Sequence, residues 1–86
     1  MRTGTVIYLT DAARTPLDFD EERAVQQLGF DPDWTLLAAS INGFHAMEEA
    51  TLRLIERGAG SIEAVRATVN DEGALDLFGD RMRVFG

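Results

Sequence analysis

The sequence predicts a small α/β domain: a two-layer sandwich in the order β-α-β-α-β-β-β, its helices packed on a mixed sheet that ends in an antiparallel meander. Three observations carry this expectation. Residues 44–57 place Phe44, Met47, Thr51, Leu54 and Ile55 at helical spacing, with Glu48, Glu49, Arg53, Glu56 and Arg57 largely opposite them, so an amphipathic helix has an apolar stripe to bury. Residues 5–10, TVIYLT, are β-branched or aromatic and apolar on both faces, which suits a strand in the interior of a sheet. Beyond Ser61, two separate turn signals set strand registers that agree on one apolar face.

Taken in order, the strand at 5–10 runs into a loop containing Pro16, and a short helix follows. Asp18 or Asp20 caps that helix, Glu21 and Glu22 occupy its first turn where the dipole favours anions, Gly29 stops it, and Ala24, Val25 and Leu28 face inward. The segment Asp31-Pro32-Asp33 reads in two ways. As a cap with proline at the first helical position it starts a helix carrying Trp34, Leu37, Ala38 and Ile41; as a turn it leads into a strand over 35–41. The strand is the favoured reading, because the break at Asn42-Gly43 would cut such a helix short. Asn42 and Gly43 then open the amphipathic helix, Glu49 and Arg53 form an i,i+4 pair on it, and Gly58 closes it.

In the last third, a three-residue loop at 71–73 sets Val69 opposite Leu75 and Ala67 opposite Leu77. A two-residue turn at Gly79-Asp80 would set Leu77 opposite Met82, Leu75 opposite Val84 and Asp76 opposite Arg83. Together these put Val65, Ala67, Val69, Leu75, Leu77, Met82 and Val84 on one face. Arg66, Phe78, Arg81 and Arg83 then gather on the other, bare if both helices cover the first.

An 86-residue chain has room for one domain with a thin core. It contains no cysteine, which removes disulfide frameworks, thiolate metal sites and cysteine nucleophiles. Fifteen acidic residues against eight arginines and no lysine give a net charge of −7, which repels phosphate backbones and argues against a nucleic-acid partner. The longest apolar runs, 6–9 and 36–39, are far shorter than a membrane span or a signal-peptide core, so no membrane association and a cytoplasmic location are expected.

Open α/β sheets bind ligands at the C-terminal ends of their parallel strands. Here that edge would collect Asp11, Arg14 and Thr15 after the first strand with Ser40, Asn42 and His45 after the second. The first loop has no glycine and cannot cradle a phosphate, and the lone His45 has neither a second histidine nor a nucleophilic serine to work with. No catalytic constellation, cofactor or metal is implied. The acids at 18–22, 31 and 33 lack calcium-loop spacing and are explained by capping.

Arginine with an aromatic residue, by contrast, is what interface cores favour, which makes Arg66, Phe78, Arg81 and Arg83 a candidate protein-interaction set. The favoured function is therefore a non-enzymatic interaction or assembly module whose partner is another protein or a second copy of the chain. The alternative is a small-molecule-binding or enzyme-like domain using Asp11, Arg14, Thr15, Asn42 and His45.

Overall fold

The computed structural model describes residues 2–10, 20–39, 43–69 and 75–85, with backbone only for Phe44 and for 78–85. Its elements are β1 (Arg2–Leu9), α1 (Glu21–Gln27), a single 3₁₀ turn (Pro32–Trp34), β2 (Thr35–Ala39), α2 (Gly43–Glu56), β3 (Ala59–Val69) and β4 (Leu75–Phe85). Two helices pack on a four-stranded mixed sheet of order β2-β1-β3-β4. β1 is parallel to both β2 and β3, and β4 is antiparallel to β3.

The two-sided apolarity of β1 has a structural counterpart, because that strand lies inside the sheet and is covered on both faces. Val6, Ile7 and Leu9 are all essentially inaccessible. Successive strand residues point to opposite faces. Ile7 and Leu9 pack with Ala24 and Val25 of α1 and with Ala67 and Leu75, whereas Val6 packs with Ala50 and Leu54 of α2 and with Ala38 and Ile62. The helices thus sit one on each face, not both on one. Topology explains this. The β1-to-β2 connection moves outward and the β2-to-β3 connection crosses back over β1, and crossovers of the usual right hand running in opposite directions fall on opposite faces.

Local chemistry accounts for the helix ends. The Asp20 side chain accepts a hydrogen bond from the Arg23 amide at 3.0 Å, capping α1, and Gly29 leaves the helix with φ of +83°. Both readings of the Asp31-Pro32-Asp33 segment hold in part. Asp31 caps one 3₁₀ turn, accepting from the Asp33 amide at 3.0 Å, and the chain then becomes extended, with the Thr35 hydroxyl donating to the Asp31 carbonyl at 2.7 Å. The Arg2 guanidinium carbon lies 5.1 Å from the Trp34 ring centroid, tying that turn to the start of β1.

α2 ends at Gly58, whose φ is +98° and whose amide donates to the Ile55 carbonyl at 2.9 Å. Its buried stripe is Ala50, Thr51 and Leu54, flanked by half-buried Ala46 and Met47. Ile55, expected in the stripe, is 41% exposed, because the two alanines bring the helix in along the 46–50–54 line and leave Ile55 at its rim. Contact is close: a Cβ built on Gly4 would lie 3.0 Å from Leu54 Cδ1 and 3.1 Å from Ile62 Cδ1, so the absent side chain of Gly4 is what admits Leu54 to the sheet.

The end of the chain departs from the expected meander. The first register holds, with Val69 opposite Leu75 and Ala67 opposite Leu77. The turn at Gly79-Asp80 does not form; β4 continues straight and pairs Arg81 with Val65, Met82 with Ala64, Arg83 with Glu63 and Phe85 with Ile62. Between Leu77 and Arg81, β4 carries three residues where β3 carries only Arg66, so Gly79 and Asp80 fall in a bulge. The length of β3 explains the preference. A chain folding back at 79–80 would leave the 62–65 backbone of this strand without a partner on that side, and a straight β4 supplies one.

Candidate functional site: the two edges of the sheet

Of the residues expected at the C-terminal ends of the parallel strands, Asp11, Arg14, Thr15, Ser40 and Asn42 lie outside the described residues. His45 is in the first turn of α2 with its side chain 78% exposed, and its Nδ1 is 3.7 Å from a Glu48 carboxylate oxygen. The acids of the α1 region divide in the same way. Asp18 is outside the described residues, Asp20 and Asp31 spend a carboxylate oxygen on capping, and Glu21, Glu22 and Asp33 are exposed. Among the described residues no group of three or more such side chains is arranged to hold a metal ion, and no helix is long and apolar enough to cross a membrane.

The interaction set is not gathered as the hairpin reading required. Arg66 is half-buried and in register with Tyr8, which packs on the α2 side of the sheet. Arg81 pairs with Val65, and Arg83 with Glu63, positions that alternate with Arg66 along β3. The straight β4 thus puts the Arg66 position on one face and those of Arg81 and Arg83 on the other. Phe78 falls in the bulge. What Phe78, Arg81 and Arg83 do share is β4 itself, the outermost strand of the sheet.

An open sheet has two edges, and here they differ. β4 runs for 11 residues along one side, and among the described residues its only strand neighbour is β3. β2, on the other side, is 5 residues long, and among the described residues its only strand neighbour is β1. A concavity of about 400 Å³ runs along the β2 edge. Thr35, Leu36 and Leu37 form its floor, Glu21, Glu22 and Val25 of α1 one wall, Pro32 and Asp33 one end, and Arg53 of α2 the opposite wall. Because α1 and α2 occupy opposite faces, the groove straddles the edge of the sheet.

Sequence reasoning missed this groove. Its lining comes from four elements, and the one early sign of it was β1 being apolar on both faces, which implies a helix on each side and hence a flanked outer strand. No protein-family model, no curated protein and no solved structure matches this chain.

Proposed function

We propose that the chain is a non-enzymatic assembly module whose β4 edge pairs with the same edge of a second copy. The observation that carries this reading is the sheet order: an 11-residue strand, about twice the usual length, has among the described residues a strand partner on one side only. A row of outward N–H and C=O groups along such an edge is a template for another strand. Pairing identical strands about a two-fold axis closes the assembly at a dimer, so no filament need follow. Register shifts at 78–80 and at Val84 divide β4 into two regular runs, 75–77 and 81–83, so the contact is built from short pieces of strand on either side of the bulge. By sequence the second run offers Arg81, Met82 and Arg83, with Phe78 in the bulge before it and Phe85 just after the second shift, and arginine, methionine and phenylalanine are residue types enriched at interface cores.

The test is solution mass by sedimentation equilibrium from micromolar to millimolar concentration. Arg83 pairs with Glu63 in the ladder, so reversing its charge would set two carboxylates opposite each other; the neutral Arg83→Gln, combined with Phe78→Ser, is the cleaner variant. The pair should weaken the dimer by about 2 kcal/mol, a factor of roughly 30 in Kd, with little change in monomer stability. A wild-type chain that stays monomeric at millimolar concentration removes the reading.

A further inference from the structure

The β2 edge differs from the β4 edge in being walled, and its walls are charged. Among the described residues three carboxylates, Glu21, Glu22 and Asp33, line the groove with a single cation, Arg53, and Arg53 already faces the Glu49 carboxylate at 3.9 Å. The floor is the first three residues of an edge strand, and in a parallel ladder alternate residues of β2 direct their N–H and C=O away from β1. Half-buried apolar side chains are present on both sides of that strand: Leu37 packs in the cluster that holds Val25, and Leu36 in the cluster of α2.

We propose that this groove binds an extended basic segment of a partner protein, added to the sheet as a fifth strand outside β2, with its lysine or arginine side chains against Glu21, Glu22 and Asp33. Strand addition supplies main-chain hydrogen bonds, and alternate side chains of the added segment reach the two walls. Charge complementarity selects the occupant. The groove is net negative and the whole chain is at −7, so a second copy, despite Arg81 and Arg83 on its β4, approaches with like net charge, and a basic partner segment is the favoured occupant. The site is distinct from the β4 edge, so either proposal can fail without the other.

The probes are three capped hexapeptides: alternating Lys-Val, alternating Glu-Val, and the Lys-Val peptide N-methylated on alternate amides. Amide resonances of the chain are followed by NMR at low and moderate salt. The Lys-Val peptide should shift residues 35–39 and the start of α1, and its affinity should fall with salt; the Glu-Val and N-methylated peptides should bind at least tenfold more weakly. Glu21→Lys with Glu22→Lys should reduce Lys-Val affinity at least tenfold. Arg53→Gln, an exposed change, should raise it severalfold, which provides a gain-of-binding arm that unfolding cannot mimic. Equal binding of the N-methylated peptide would overturn strand addition. Shifts confined to exposed acids of α2, or no dependence on peptide charge, would overturn the assignment to this groove.

Discussion

Replacing Leu54 by alanine tests the packing from which the rest of the fold follows. Leu54 is fully buried between α2 and the sheet, in contact range of Val6, Ala38, Ala50 and Ile62. The change removes three carbons, worth about 2.4 kcal/mol of transfer free energy at ~0.8 kcal/mol each. Incomplete collapse around the gap adds to this, for a total of about 3 to 4 kcal/mol. Against the 5 to 15 kcal/mol typical of a whole domain, roughly, that is a large fraction. The geometry at Gly4 makes the prediction sharper. A methyl there would sit 3.0 Å from Leu54 Cδ1, so Gly4→Ala in the wild-type background overpacks the contact and should cost about 1 to 3 kcal/mol. With Leu54 shortened, the same methyl enters the space just vacated, and the double variant should be more stable than the sum of the single effects by about 1 kcal/mol or more. Urea denaturation of the four proteins measures the cycle. Additive effects, or near-wild-type stability of Leu54→Ala, would refute the packing of α2 against β1.

Other substitutions separate local chemistry from packing. Asp20→Ala removes the carboxylate that caps a seven-residue helix and should cost about 1 kcal/mol, lowering the thermal midpoint by roughly 4–8 °C. Gly58→Ala should cost about 1 kcal/mol purely through the backbone, since φ is +98° while the added Cβ would lie an unstrained 3.8 Å from the Trp34 ring; urea denaturation reads it. Glu49→Ala, at an exposed pair with Arg53, should change stability by less than about 0.5 kcal/mol, and a larger loss would show that the pair is more than surface decoration.

Much of the fold was legible because several signals in this chain are redundant. The caps at Asp20 and Asp31, the glycines at 29 and 58 and the pairing of Val69 with Leu75 each rest on chemistry confined to a few neighbouring residues. The misread turn is a case of one local signal with two structural uses. Gly79-Asp80 fits a tight turn and a bulge equally well, and the choice between them was made by the pairing needs of residues 62–65 of β3, well before that dipeptide in sequence. Asp31-Pro32 also has two uses, and there the favoured reading, a strand over 35–41, is matched by β2 over Thr35–Ala39 after a single 3₁₀ turn. The interaction set depended on the misread turn and was divided between faces with it. The groove at β2 was invisible for a different reason: Glu22 and Arg53 are distant in sequence, and only the reversal of crossover direction brings their helices to the two sides of one strand.

The claim that β4 serves as the assembly edge can be tested by cross-linking, since a chain without cysteine reports on any single thiol introduced into it. Val84→Cys on β4 and Gln26→Cys on the exposed side of α1 would each be treated with a short bis-maleimide across a concentration series. The β4 thiol should give a cross-linked dimer whose yield follows the dimer population, while the α1 thiol stays at the level of random collision. Equal yields from the two positions, or none from β4 at concentrations where the chain is dimeric, would contradict it.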